Sequence, residues 1–266
     1  MSWREREAEV AAIVRECRAA LALRGRTVID EAVGENAAAI VDWRHYPEGE
    51  VYDPASHVQY FYHRHAGPAG SRTAERSEHG HFHLFLRGEG IPAGITPLLL
   101  PELAVANAPV PRQSAPLKRG GRDEVCHLAA IAVDDRGEPI RLFTTNRWVT
   151  GETWYRAEDA IRMLDRFRID GDQPSALLNR WISGLLRLFQ PEIATLLRQR
   201  DKAIAEQRWR WRGNVLEDPR LEIASSVEID LDSRLAAIEQ PARGPAAAAA
   251  PSRAARLPRM AEGWGA

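Results

Sequence analysis

Residues 79–86 read His-Gly-His-Phe-His-Leu-Phe-Leu, and this stretch indicates both the fold and the position of a candidate site. Side chains two positions apart on an extended strand point to the same face of a sheet. The odd positions therefore place His79, His81, His83 and Phe85 on one face, and the even positions form an apolar face. The pattern predicts a strand that packs on a core with one face and presents imidazoles on the other.

A second strand with the same alternation is predicted over residues 58–65. Its odd positions place Gln59, Phe61, His63 and His65 on one face. If the two strands pair with these faces aligned, five histidines converge on one surface. Such clustering marks a reactive or binding site, because imidazole titrates near neutral pH and is the commonest metal ligand.

Helical patterns flank this β-rich region. Ser2 and Glu5 form a capping box before apolar residues at helical spacing, and Pro191 should restart a helix in the C-terminal half. A turn at residues 134–137 predicts a hairpin, and a short strand within 221–231 should close the sheet. The sequence therefore predicts an α+β fold in which a mainly antiparallel sheet from the central region packs against N- and C-terminal helices.

We predict one domain over residues 1–240. The histidine-rich sheet should occupy about residues 45–150, and the helical C-terminal part about 153–212. Proline-rich residues 92–116 are predicted to be a covering loop. Residues 241–266, rich in alanine, proline and arginine, lack the apolar content to fold and should be disordered.

Composition narrows the function classes. The chain has 36 basic and 37 acidic residues, which argues against a general nucleic-acid or anionic-membrane binder. Its two cysteines exclude a disulfide framework. The charged N-terminus is unlike a signal peptide, and no apolar run would cross a bilayer. We therefore expect a soluble, cytoplasmic protein whose partner is a small-molecule ligand or substrate.

The histidines suggest a metal site. A rise of ~3.3 Å per residue separates His79 and His83 by ~13 Å at Cα, near the limit of what two imidazoles can span around one ion. A mononuclear site should therefore combine a His-x-His pair with a histidine from an adjacent strand. The candidate ligands, for zinc, iron or manganese, are His63, His65, His81, His83 and His127.

A site of this kind predicts a metal-dependent, hydrolase-like enzyme that acts on a small molecule. Glu78 and His81 are the candidate catalytic residues, with Glu78 as base or partner to an imidazole. The alternative is a metal-free protein in which Tyr62, Asn146 and Arg147 help to bind a small anionic or aromatic ligand. A simpler interpretation gives the histidines ordinary hydrogen-bonding roles in the sheet, and gives Asn146 and Arg147 turn or cap roles.

Residues 79–85 also resemble the local motif of histidine-triad nucleotide hydrolases, apart from Gly80. The resemblance implies that His81 would attack phosphorus. The Gly-Gln segment that precedes the motif in that family is replaced here by Thr-Ala-Glu-Arg-Ser-Glu at residues 73–78.

A longer ordered set of motifs resembles an uncharacterised bacterial family defined only as a domain of unknown function. The similarity covers nearly all residues before the tail and implies that residues 1 to about 235 form one unit. It implies no activity. The motifs lie at residues 45–47, 51–53, 59–63, 78–83, 142–152, 179–181 and 217–222.

Overall fold

The computed structural model describes residues 2–34, 40–65, 78–98 and 124–239. Within these ranges the chain forms a six-stranded antiparallel sheet, in the order β1-β2-β3-β4-β5-β6, and seven helices. The strands are β1 (Tyr46–Asp53), β2 (Val58–His63), β3 (Gly80–Arg87), β4 (Val125–Val133), β5 (Pro139–Thr145) and β6 (Ile223–Glu228). The helices are α1 (Trp3–Leu23), α2 (Val28–Val33), α3 (Arg147–Thr150), α4 (Ala157–Leu164), α5 (Ala176–Leu188), α6 (Gln190–Arg210) and α7 (Leu231–Glu239). The predicted α+β fold is confirmed.

Helix α1 begins as its sequence predicts. The Ser2 hydroxyl accepts a hydrogen bond from the Glu5 amide, and the Glu5 carboxylate accepts one from the Ser2 amide, so both free amides are satisfied. The helix then packs against α5, where a Cβ on Gly184 would lie 2.7 Å from Cγ2 of Val14. Glycine at this position lets the two helices approach closely.

The two faces of the sheet differ as the alternation predicts. On one face Tyr60, Phe82 and Leu84 join the main apolar core, which includes Trp181 and Leu185 of α5. On the other face the histidines of β2 and β3 are brought together by the strand register. The core therefore fixes the sheet from one side, while the opposite face carries the polar side chains.

A β-bulge in β4 extends the histidine face to a third strand. Leu84 pairs with Ala129, but the next residue of β3, Phe85, pairs with His127, so Leu128 is the extra residue of the bulge. The change of phase puts His127 on the histidine face, where its ring contacts that of His83, while Leu128 enters the main core. Ala130 lies on the histidine face, opposite His83. Without the bulge His127, three positions before Ala130, would point to the other face of the sheet.

Thr27 caps the short helix α2, and α4 starts at Ala157. Strand β1 was not predicted, since Pro47 and Gly49 give it the composition of a turn. Its position at the edge of the sheet explains how it tolerates a proline, which cannot donate to a neighbouring strand.

Other predictions fall partly outside the described ranges. Of the proline-rich covering loop, residues 99–116 lie outside them, as does the whole predicted tail at 241–266. Cys17 and Cys126 are both free and buried, in agreement with the expectation of no disulfide framework. Among the described helices, none is long and apolar enough to cross a membrane.

Gly80, the one departure from the histidine-triad pattern, is required by packing. A Cβ at this position would overlap the Tyr62 hydroxyl and lie 2.6 Å from the backbone oxygen of His63. We expect Gly80→Ala to lower the free energy of unfolding by about 1–3 kcal/mol, the usual range for overpacking. Urea denaturation measures the change, with Gly171→Ala as a control because a Cβ there meets nothing within 4 Å. Equal stability of the two variants would contradict the prediction.

Candidate metal centre

Three histidines converge on the open face of β2 and β3. His63 and His81 are cross-strand partners, and His83 lies two residues further along β3. One ring nitrogen from each lies within 4.8 Å of the others, and Nε2 of His63 is 2.6 Å from Nε2 of His81. We call these residues the three-histidine cluster. It has the predicted composition, a His-x-His pair joined by one histidine from the adjacent strand.

Partners outside the cluster hold the second ring nitrogens of His81 and His83. Nδ1 of His81 lies 2.6 Å from Oε1 of Glu78, whose other oxygen accepts a hydrogen bond from Arg141. Nδ1 of His83 lies 3.0 Å from Nε2 of His127. These contacts occupy both Nδ1 atoms and leave both Nε2 atoms for the centre of the cluster.

The environment keeps the cluster uncharged. His63, His81 and His83 are 9%, 4% and 2% exposed. Burial, reinforced by the neighbouring imidazoles, lowers the pKa of His63 to about 3 and that of His83 well below its ordinary value. The pKa of His81 is also lowered, since burial outweighs its hydrogen bond to Glu78. At neutral pH each imidazole therefore has a lone pair that can bind a cation.

Glu78 is the ionised partner of this group. Burial raises the pKa of its carboxyl, but the hydrogen bond to His81 and the nearby positive charge of Arg141 outweigh that effect, so the pKa is lowered overall. An ionised carboxylate accepts the Nδ1 proton of His81 and fixes its tautomer. The pair therefore directs Nε2 of His81 toward the cluster.

Apolar side chains surround the cluster. Phe61 pairs across the strands with His83, and Phe143 of β5 lies with its ring centroid 5.1 Å from that of His81. Between His81 and His83 of β3 and the facing part of β5, strand β4 contributes the small side chains of Ala130 and Ala132. These alanines give Phe143 room to reach the histidines.

The structure places the other predicted histidines around the cluster. His65 stacks on Trp43, and its ring centroid lies 5.2 Å from that of His81, so it stands at the edge of the site. His127 lies behind His83 and is 3.4 Å from the Thr145 hydroxyl. His79 does not join the group, because its Nδ1 atom is bonded to the Tyr62 hydroxyl, 2.6 Å away. The alternation predicted for His79 fails because the strand begins one residue later, at Gly80.

Three predicted ligand-binding residues lie away from the cluster. Tyr62 is fully buried in the main core on the helix side of the sheet. Asn146 caps α3 and donates to the backbone oxygen of Val215, and Arg147 pairs with Glu217. These contacts are a helix cap for Asn146 and an ion pair for Arg147. They agree with the simpler interpretation of the sequence, which gave both residues local structural roles.

Sequence reasoning missed the residues that β5 contributes to the site. Arg141, Phe143 and Thr145 alternate on one strand, which is the same signal that identified the histidines. Arg141 lies opposite Ala132 because of an irregularity in the register between Ala132 and Val133. The turn at 134–137 does not reveal this irregularity, so the position of Arg141 did not follow from the hairpin.

Glu152 is a buried acid that contacts the backbone of His127. Its carboxylate accepts hydrogen bonds from the His127 amide at 2.7 Å and from the Thr150 hydroxyl at 3.3 Å. Burial raises the pKa of Glu152 to about 7, against the opposing effect of the Arg200 charge. The folded protein therefore binds a proton here that the unfolded chain releases near its ordinary pKa of about 4.5.

We expect Glu152→Gln to stabilise the protein at pH 8 by about 3 kcal/mol, since the pKa is raised from 4.5 to about 7 and each pKa unit corresponds to ~1.4 kcal/mol. The raised pKa favours folding at low pH, and this advantage is lost as the pH rises from about 4.5 to about 7. Glutamine retains an oxygen for the His127 amide but carries no charge. Urea denaturation at pH 8 and pH 5 measures the difference, which should nearly vanish at pH 5. A variant that gains as much at pH 5 as at pH 8 would contradict this assignment.

Comparison with known proteins places the chain in a family without assigning an activity. Neither the curated proteins nor the solved structures searched contain a match to this sequence. One family model matches residues 8–229, a range that contains all six strands and the three-histidine cluster. The chain therefore belongs to the family described as Domain of unknown function (DUF6969).

Proposed function

We propose that His63, His81 and His83 bind one divalent metal ion, and that the protein is a metal-dependent, hydrolase-like enzyme acting on a small molecule. The observation that carries the proposal is the pair of outer contacts at Nδ1 of His81 and His83. Metal-binding histidines almost always donate their second ring N–H to a carboxylate, a backbone carbonyl or water. His81 has such a carboxylate partner in Glu78, and for His83 the imidazole nitrogen of His127 takes this place. The nitrogens left over face a third imidazole.

The spacing of the nitrogens is compatible with one ion. Bonds of 2.0–2.1 Å in a tetrahedral site place neighbouring ligand nitrogens about 3.4 Å apart. In the cluster the contact between His63 and His81 is 2.6 Å, and all three ligand atoms lie within 4.8 Å. Small ring rotations would bring the three nitrogens to the required distances without moving the strands.

The donor set favours particular metals. Imidazole suits zinc, iron, copper and nickel, whereas manganese prefers oxygen ligands. Three neutral histidines therefore support zinc or iron(II) more strongly than manganese. Because none of the three ligands is anionic, they would not reduce the positive charge of the ion.

Three protein ligands leave at least one coordination position for water or substrate. A metal in this environment lowers the pKa of water to about 7 and polarises carbonyl groups, which is the basis for proposing hydrolysis. Both oxygens of Glu78 are engaged, by His81 and by Arg141. Of the two roles expected from the sequence, base or partner to an imidazole, we therefore propose the second: Glu78 positions His81.

A nucleophilic role for His81 has less support. The attacking nitrogen would be Nε2, because Nδ1 is bonded to Glu78. That atom already lies 2.6 Å from Nε2 of His63. Gly80 also has a packing reason that is independent of any histidine-triad chemistry.

Metal analysis tests the proposal directly. The untagged protein, supplemented in turn with zinc, iron, manganese and nickel and then desalted, should retain about one equivalent of its preferred metal. In the cobalt(II)-substituted protein, added azide should change the visible spectrum, because the open position can exchange its ligand. Stoichiometry near zero for all four metals would overturn the proposal. A cobalt spectrum insensitive to azide would leave metal binding in place and overturn the enzymatic part.

A further inference from the structure

We infer that Arg141 recognises a carboxylate of the small molecule, so that the metal centre acts on an anionic compound. This inference rests on the proposed function, because it assigns the substrate class of the same site. It depends on the position of Arg141, on hydrogen-bond donors of its side chain that no residue in the described ranges uses, and on the charge balance around the cluster.

The strand register aligns Arg141 with the cluster. His63 pairs with His81, His81 pairs with Ala132, and Ala132 pairs with Arg141, so these residues form one row across four strands. Two strand spacings of ~4.8 Å separate Arg141 from His81 at Cα. The residue between them is alanine, so no large side chain of that row stands between the guanidinium and the histidines.

Two contacts hold the guanidinium of Arg141 in place, but they leave some of its hydrogen-bond donors without a partner among the described residues. Its carbon lies 4.7 Å from the centroid of the Phe143 ring, and its Nη2 atom donates to Glu78. Within the described ranges, Nε and Nη1 of Arg141 make no further hydrogen bond. The side chain is 22% exposed and Glu78 is 24% exposed, compared with 5% for His81. Arg141 therefore stands at the more open side of the site with donors available to a ligand.

The charges favour an anion. With a divalent ion on three neutral imidazoles, the positive charges are those of the ion and Arg141, and Glu78 is the carboxylate between them. Glu50, another acid near this face, accepts hydrogen bonds from His45 and Gln59. With the carboxylates of Glu78 and Glu50 both counted, the site would keep a net positive charge of one. A planar guanidinium with free donors is well matched to a carboxylate.

Paired ligands test the inference. The monohydroxamate of succinate carries a metal-binding group and a distal carboxylate, and its carboxamide analogue is a neutral control of nearly equal shape. Calorimetry on the zinc-loaded protein should show the acid binding roughly tenfold or more tighter than the amide, as expected for a charged hydrogen bond. In Arg141→Gln this preference should disappear, while zinc content and the affinity for the amide stay close to wild type. Glutamine retains a donor for Glu78, so a purely structural role of Arg141 would not change the acid-to-amide ratio.

The same pair of ligands separates this inference from the proposed function. If the protein takes up no zinc, ligand-observed NMR on the metal-free protein still compares the acid with the amide. A preference for the acid that Arg141→Gln removes would support carboxylate recognition even though the metal proposal had failed. Equal binding of acid and amide by the wild-type protein, or a preference that survives in Arg141→Gln, would overturn the inference.

Discussion

His81→Ala should abolish stoichiometric zinc binding while the protein remains folded. His81 is the central residue of the three-histidine cluster, since its Nε2 atom faces His63 and its Nδ1 atom is held by Glu78. Its loss removes one of three protein ligands and leaves an incomplete site. The decrease in zinc affinity should exceed the 10–100-fold range that is typical when only an outer partner is removed. Equilibrium dialysis followed by metal analysis measures it.

His79→Ala provides the matched control from the same run of sequence. His79 lies two residues from His81 but is bonded to Tyr62 on the other side of the sheet. Its removal should leave the zinc content unchanged, as measured by the same dialysis. The zinc affinity of Glu78→Gln should lie between those of the two variants. We expect it to be roughly 10–100-fold lower than in the wild type, because this change removes only the partner of Nδ1 of His81. Equal loss of zinc in His79→Ala and His81→Ala would contradict the cluster as assigned.

The contrast between His79 and His81 shows where the alternation of side chains along a strand predicts their direction and where it does not. The period of two placed His63, His81 and His83 correctly on one face, because these residues lie inside paired strands. His79 lies just before β3, where the cross-strand pairing that fixes side-chain direction has not yet begun. Alternation therefore predicted the centre of the site and failed at the end of the strand.

The remaining parts of the site depend on contacts between distant segments. His127 reaches the histidine face only through the bulge at Leu128, and a bulge shifts the phase without a distinctive residue type to mark it here. Arg141 joins the site through Glu78, which lies 63 positions away in sequence. Neither contact follows from local spacing, so the sequence alone predicted His127 by its residue type and did not predict Arg141.

One motif of the family resemblance, at residues 179–181, stabilises the fold. Asn179 accepts a hydrogen bond from the Tyr60 hydroxyl at 2.6 Å, and its amide donates to the backbone oxygens of Gly171 and Gln173. Trp181, two residues later, is among the largest fully buried side chains. The motif at 179–181 thus connects α5 to the sheet and the preceding loop. A polar residue in a motif can be as important for packing as for chemistry.

Acid should destabilise the metal-free protein. Burial lowers the pKa of His63 and of His127 to about 3, and the pKa values of His81 and His83 are lowered as well. The unfolded chain binds protons at the ordinary histidine pKa of 6.5, whereas the folded protein does not. The stabilising contribution is therefore complete above pH 6.5 and is lost as the pH falls from 6.5 toward 3.

The expected loss is set against an opposing contribution from Glu152. His63 and His127, whose pKa values are about 3, each contribute ~1.4 kcal/mol between pH 7.5 and pH 5.5, or about 3 kcal/mol together. The lowered pKa values of His81 and His83 add to this loss. Protonation of Glu152 opposes it by about 2 kcal/mol over the same range, because its pKa is raised to about 7. The histidines therefore outweigh Glu152, and the metal-free protein should be less stable at pH 5.5.

Urea denaturation in the presence of a chelator measures this loss at pH 7.5 and pH 5.5. In Glu152→Gln the loss should be larger by about 2 kcal/mol, since the opposing carboxyl is then absent. Replacing His83 by glutamine should instead reduce the loss, because one proton fewer is taken up on unfolding. Zinc at a thousandfold excess over its Kd should add about 4 kcal/mol of stability at pH 7.5. A metal-free Glu152→Gln variant equally stable at both pH values would show that the histidines are not held neutral, which would contradict the proposed binding of a cation.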